Sequence, residues 1–248
     1  MHRPVALVTG GGRRVGAAIV SGLVEAGWFV LVHVRSSVED ANTLLEGLSA
    51  KHGRPAGRVL VADLLREDSV SALIQATKAQ PEVVESGLAG LVHNASIFFP
   101  DHGEGAPADM KQARADLWHL HVEAPVLLTE GLEAPLSQAE GAVVSMVDTS
   151  WGKAWKGLGD YTASKAALRQ RTLGWALDLA PRVRANAVAP GAILAADWEE
   201  EGFSAAIRRT PLERGGTPEE VAHAVRYLLE ATFVTGQVIA VDGGWSIR

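Results

Sequence analysis

Tyr161 and Lys165 are the residues in this chain whose types and spacing suit proton transfer. They lie four apart in a segment, 160–180, that is rich in Ala and Leu and stops before Pro181, a pattern that predicts a helix with Asp160 as its cap. At that spacing two side chains share one helical face. A free phenol, with a pKa of about 10, gives up its proton poorly at neutral pH. An ammonium about 4 Å away, at an effective dielectric of about 20, favours the phenolate by about 4 kcal/mol, or about three pK units. That shift moves the phenol toward the range in which a general acid works best. A surface Tyr beside a solvated Lys has the same spacing, so the reading depends on what else the chain supplies.

The elements that must position this pair can be read in order. Val5, Ala6, Leu7 and Val8 form a short apolar strand that runs into T-G-G-G-R-R-V-G, residues 9–16, followed by Val15, Ala18, Ile19 and Leu23 at helical spacing up to Gly27. Strand, glycine-dense turn and helix make the phosphate-binding corner of a dinucleotide fold, where glycine lets the backbone approach a pyrophosphate and the helix N-terminus offers free N–H groups. A second strand, 28–32, ends in H-V-R-S-S. No acidic residue stands there to take ribose hydroxyls; His33, Arg35, Ser36 and Ser37, with Arg14, offer positive charge and hydroxyl donors that suit a 2'-phosphate. The cofactor expected is therefore NADPH.

A helix is predicted over 40–51, and a third strand, 58–62, ends at Asp63-Leu64, where the Asp suits either an adenine amino group or a helix cap. A helix over 68–79 and a fourth strand, 90–93, follow. That strand delivers N-A-S-I-F-F-P, setting Ser96 and the pair Phe98 and Phe99 at the carboxyl edge of the sheet, where open α/β sheets bind ligands. One long helix is predicted within 107–135; His119 and His121, two apart, do not share its face, which argues against a metal site. The apolar run 142–144 reads as a fifth strand ending near Val147, just before the stretch 148–165. A sixth strand, 182–188, leads to A-P-G-A. Residues 193–216, with Trp198, Glu199, Glu200, Glu201 and Phe203, lack a clean period and read as a lid over the substrate or as a solvated acidic face. Pro218 opens a last helix, and a seventh strand, 237–241, precedes D-G-G-W-S-I-R.

Composition narrows the classes. With 248 residues, 47% of them hydrophobic, the chain suits one α/β domain over 1–248. A net charge of -6 argues against a nucleic-acid groove. There is no apolar run near the length of a membrane span and no signal-peptide pattern, so a cytoplasmic protein is expected. Zero cysteines exclude disulfides and thiolate metal sites.

Six motifs in this order, Thr9-Gly10 through Gly16, Asp63-Leu64, Asn94-Ala95, Tyr161 to Lys165, Pro190-Gly191 and Asp242-Gly243-Gly244, resemble the short-chain dehydrogenase/reductase family over essentially the whole chain. The resemblance implies a Rossmann-type doubly wound seven-stranded parallel sheet, order 3-2-1-4-5-6-7, and a homotetramer. It implies Tyr161 as proton donor, Lys165 holding the nicotinamide ribose, and cofactor contacts from Asn94, Ala95, Pro190 and Gly191. Departures point further. Arg14 stands at the middle glycine of the family's turn, Asp148 stands where the catalytic Ser usually lies, and H-N-A-S-I-F-F-P replaces the common N-N-A-G. These are similar to the pteridine reductase branch, which implies that Arg14, Ser96 and Phe98 contact pterin or cofactor; the lid reading of 193–216 adds Trp198 as a substrate-binding candidate. His93 and His121 depart even from that branch; the latter stands where the family has a proton-relay Asn, and relay and packing are both open.

A carboxyl at 148 has a chemical rationale. A ketone needs a hydroxyl to polarise its oxygen, whereas a pterin presents a C=N bond beside an aminopyrimidine that pairs with a carboxyl group. Asp148, Tyr161 and Lys165 are thus the expected catalytic residues, unless Asp148 is only a turn cap at the strand end. The competing readings are a carbonyl or 3-oxoacyl reductase, for which Ser would be expected at 148, and an NADPH-binding sensor without turnover. The resemblance to that branch implies that the tail ending in Arg248 approaches a neighbouring subunit's pocket; the alternative is a frayed, solvated terminus.

Overall fold

The computed structural model describes residues 3–152, 155–196, 198 and 200–248. Seven strands, β1 Val5–Thr9, β2 Phe29–Val34, β3 Gly57–Val61, β4 Gly90–His93, β5 Ala142–Met146, β6 Arg184–Pro190 and β7 Val238–Val241, form one parallel sheet in the order β3-β2-β1-β4-β5-β6-β7. This is the expected Rossmann-type order. The strands read as unbroken apolar runs because both faces are covered. Along β1 the side chains alternate between two cores: Val5 and Leu7 join one, Ala6 and Val8 the other.

Three helices, α1 Arg14–Glu25, α2 Val38–His52 and α10 Pro218–Glu230, supply Ile19, Leu45 and Val225 to the core holding Ala6 and Val8. The opposite core takes residues of α3 Glu67–Lys78, α6 Ala124–Gly131, α7 Glu133–Gln138 and α8 Gly159–Asp178. Each fully buried Leu there contributes about 1.5–3 kcal/mol relative to exposure. α4 Pro81–Ser86, α5 Met110–Trp118 and α9 Glu200–Arg209 complete the helices among the described residues. α10 begins as its sequence foretells, with Thr217 and Glu220 closing a reciprocal capping box and Pro218 in the first turn.

Two expectations need correction, and a third gains detail. The long helix within 107–135 runs without a break over 110–131 as α5, a five-residue π turn His119–Glu123 and α6, and α7 follows after one residue. The π turn lies just before Pro125, where the helical ladder loses an N–H, and Pro135 falls in the first turn of α7, where a missing N–H costs nothing. The segment 193–216 is not without period: α9 lies inside it and puts Phe203 and Ala206, three apart, on one face. Finally, Asp160 does not cap α8. The N-cap is Leu158, which has no side-chain acceptor, and Asp160 sits in the first turn bonded to Arg114.

Candidate active site

A cavity of about 550 Å³ opens at the carboxyl edge of the sheet, within the size range of small-molecule sites. It lies where the strand order reverses between β1 and β4, the place at which open α/β sheets bind ligands. One end is walled by Gly10, Gly16, Arg35, Ser36, Asp63 and Leu64, the other by Ser96, Phe98, Asp148, Tyr161 and Lys165.

The first end is made largely of backbone. Gly10 has φ +63, a conformation that L side chains rarely adopt, and a Cβ on Gly16 would lie 2.1 Å from the Gly10 carbonyl oxygen. No side chain caps the N-terminus of α1, so its first N–H groups remain for an anion. Arg14 keeps φ +53 where the family has glycine, and its guanidinium donates to the carbonyls of Leu194 and Ala195, both at 3.0 Å, tying the turn to the start of segment 193–216. Asn94 donates from Nδ2 to the carbonyls of Thr9 and Gly10 at 2.9 and 3.1 Å. Val15, Ala95, Pro190 and Gly191 also form wall. A Cβ on Gly191 would lie 2.8 Å from Cα of Asp242, so Pro190-Gly191 and Asp242-Gly243-Gly244 are one contact in space.

Two of the expected cofactor residues act differently from expectation. Thr9 is 2% exposed and is not on the wall; its hydroxyl donates to the Val92 carbonyl and accepts from the N–H groups of Asn94 and Ala95, so it staples β1 to the loop after β4. His33 reaches the wall but brings no charge. It is the penultimate residue of β2, and burial lowers its pKa to about 4. Nε2 faces the Ala62 carbonyl at 3.1 Å and must donate, which leaves Nδ1 to accept the Gly10 N–H at 3.2 Å. Cationic charge at this corner comes instead from exposed Arg35, since Arg13 is held in an ion pair with Asp40. Asp63 is not a helix cap; its Oδ1 accepts the Leu65 N–H at 3.1 Å, and the residue stays on the wall.

The second end is made of side chains, with Tyr161 and Lys165 buried, Phe98 and Asp148 half-buried and Ser96 exposed. Lys165 is 3% exposed and donates from Nζ to the Met146 carbonyl at 3.0 Å; the same ammonium lies 5.8 Å from the centre of the Tyr161 ring. Burial lowers its pKa to about 8, opposed by Asp148, so it remains largely charged at neutrality. Asp148 makes two contacts: Oδ1 accepts the Ser150 N–H at 2.7 Å as a turn cap, and Oδ2 accepts the Tyr161 hydroxyl at 3.5 Å, a long and weak bond. Burial raises its pKa, with the Ser150 contacts and then Lys165 opposing. The Phe98 ring lies 4.7 Å from that of Tyr161. Trp198 lies against Phe98 at 5.0 Å and is not on the wall, so the side chain expected at the substrate packs behind Phe98 instead.

The family model described as enoyl-(acyl carrier protein) reductase, a short-chain dehydrogenase/reductase model, matches residues 12–246. The chain belongs to the short-chain dehydrogenase/reductase family. Similar members include the dihydromonapterin reductase of Klebsiella pneumoniae, 31% identical over 99% of this chain and 98% of that protein. Pteridine reductase 1 of Leishmania tarentolae is 30% identical over 98% of this chain and 96% of its own. Among solved structures, FolM alternative dihydrofolate reductase 1 from Brucella canis, complexed with NADP, superposes with a TM-score of 0.84 at 32% identity, covering 99% of this chain and 95% of that one.

Within this short-chain dehydrogenase/reductase fold, several site residues escaped the sequence. Asp101 supplies the missing cap of α8 from 58 residues away, accepting the Gly159 N–H at 2.7 Å, and so fixes the loop carrying Phe98 to the helix carrying Tyr161. Trp155 and Trp245 stand edge to face, 6.2 Å apart, on the wall. Their signal was position: Trp155, Trp198 and Trp245 fall outside every apolar period, where a large ring has no core to fill. Exposed Arg248 donates to the carbonyl of Arg209 in its own chain at 2.6 Å, which places the tail against α9. No helix among the described residues is long and apolar enough to cross a membrane.

Proposed function

We propose that this protein is an NADPH-dependent reductase of a pterin-like ring, acting on a C=N bond of dihydropterin or dihydrofolate type. The observation that carries the reading is Asp148: a half-buried carboxyl group on the cavity wall, within reach of the Tyr161 hydroxyl, at the point where a carbonyl reductase of this family carries a hydroxyl. The names of its relatives, dihydromonapterin reductase and pteridine reductase, support it.

NADPH suits the glycine cradle, the uncapped start of α1 and exposed Arg35, and when bound it supplies the hydride. The chain does the rest. Reduction of C=N adds a hydride at carbon and a proton at nitrogen, and Tyr161 gives that proton. Asp148 bonds the phenol on one side, and the Lys165 ammonium stabilises the phenolate that forms. Lys165 also takes the ribose of the cofactor, Phe98 offers its face to a flat ring, and Ser96 and Arg14 bond ligand edges. Segment 193–216 covers the substrate in one domain spanning 1–248, and the working form is a cytoplasmic homotetramer.

A ketone or 3-oxoacyl reductase is the competing activity, and Asp148 speaks against it. NADPH oxidation measured with dihydrobiopterin and dihydrofolate beside a panel of ketones and 3-oxoacyl thioesters separates the two. Turnover of the pterins is expected; turnover of ketones alone ends the pterin reading.

A further inference from the structure

His121 has no part in the reaction just described, yet it is 1% exposed and sits in the π turn between two serines. Its Nε2 lies 2.8 Å from the Ser96 hydroxyl and its Nδ1 lies 2.8 Å from the Ser164 hydroxyl. Two arrangements of protons satisfy this chain, and the shorter contacts favour one of them. Ser164 lies 2.7 Å from the backbone carbonyl of Tyr161, an atom that only accepts, and giving its one proton there makes the shorter bond. Ser164 then accepts from Nδ1–H. Burial, and next the Lys165 charge, hold the pKa of His121 well below 6.5, so the ring is neutral and Nε2 carries a lone pair. Ser96 therefore donates to Nε2. Its alternative acceptor, the Ile97 carbonyl, is 3.3 Å away and is the weaker partner.

The consequence falls on the cavity. Ser96 is exposed and forms part of the wall, and with its proton committed to His121 it turns only oxygen lone pairs toward a ligand. We infer that His121 is a positioning residue that fixes Ser96 as a hydrogen-bond acceptor, so that this point of the wall takes an N–H donor and disfavours a carbonyl. A serine with a free hydroxyl would serve either. Two ligand groups have the matching chemistry: the carboxamide NH2 of a nicotinamide, and the amino or ring N–H of an aminopyrimidine substrate. The second source rests on the pterin reading of the cavity; the first does not.

The test combines a cycle and a spectrum. NADPH dissociation constants and the KM and kcat for dihydrobiopterin are measured for wild type, Ser96→Ala, His121→Leu, the double variant and His121→Asn, whose amide can accept from Ser96 and donate to Ser164. Loss of one oriented hydrogen bond predicts that His121→Leu raises one constant by about tenfold, with kcat within about threefold. Ser96→Ala should raise the same constant equally, the double variant should be no worse than Ser96→Ala, and His121→Asn should restore most of the loss. A shift in the NADPH constant assigns the carboxamide; a shift in KM assigns the substrate. The proposal is overturned if His121→Leu adds its full factor on top of Ser96→Ala, if Asn is as poor as Leu, or if Ser96→Ala moves neither constant.

Should the Leu variant not fold, the nitrogen NMR spectrum of His121 in the wild-type protein decides. The inference requires a protonated Nδ1 and an unprotonated Nε2 at neutral pH, and the opposite tautomer contradicts it. Failure of wild type to turn over dihydropterin sinks the substrate reading alone, because the NADPH constant and the tautomer remain measurable without it.

Discussion

The two ends of the cavity share one sheet edge but are built from different materials. The phosphate end consists of peptide groups held in conformations open to glycine, with charge supplied from an exposed Arg35. The reaction end consists of ionisable side chains taken out of water, Asp148 raised and Lys165 lowered in pKa by the same burial. The contrast follows from the tasks. Holding a phosphate needs close approach and N–H groups, which backbone provides, whereas moving a proton needs groups whose affinity for it has been shifted from the solution value. Substitutions at the first end should therefore act through space, and those at the second through protonation.

The largest effect is expected at Gly16. An added methyl would meet the Gly10 carbonyl oxygen at 2.1 Å and the Asn94 amide at 2.8 Å, both parts of the fixed frame. Gly16→Ala should lose NADPH binding by at least about a hundredfold, since a steric conflict with rigid backbone costs several kcal/mol. Calorimetric titration with NADPH measures this, and near-normal affinity would show that the turn yields.

Asp148→Asn sharpens the other side of the contrast. The amide can still accept the Ser150 N–H, but an N–H then faces the Tyr161 hydroxyl in place of an acceptor. We expect kcat to fall by about a hundredfold, the lower range for a group that assists proton transfer. Stability should move the opposite way. A carboxyl whose folded pKa is raised contributes stability at acid pH that is lost as pH rises through that value, so the variant should gain on wild type as the pH rises above the ordinary carboxylate range. Thermal melts across that window test the sign; a variant that loses stability as the pH rises would mean that Asp148 is a structural anion.

Arg35→Ala is expected to be smaller again. An exposed charge pairing with a phosphate is screened by salt, so the KM for NADPH should rise about tenfold at low ionic strength, with a smaller rise in high salt and little change for NADH. Equal losses with both cofactors would remove the 2'-phosphate from the account.

The same contrast explains what could be read in advance. The phosphate end was legible because glycine spacing and strand–turn–helix order are local, and the sheet order came with the family resemblance. The pairing of Tyr161 with Lys165 on one helix was legible by spacing, and the place of Asp148 beside them came with the family resemblance. His33 was misassigned because its strand runs on to Val34, which turns a loop cation into a buried neutral ring. Asp101, Trp155 and Trp245 were missed because each acts across a distance in sequence, and α9 because its amphipathic face is read only against the cavity it covers.

Removal of one oxygen tests the whole proposal for the reaction end. Tyr161→Phe keeps the ring against Phe98 and leaves the glycine cradle untouched, so single-turnover oxidation of bound NADPH by dihydropterin isolates the proton donor. The account predicts an unchanged NADPH affinity and a rate lower by about 10²–10⁴; a rate within a fewfold of wild type would contradict it.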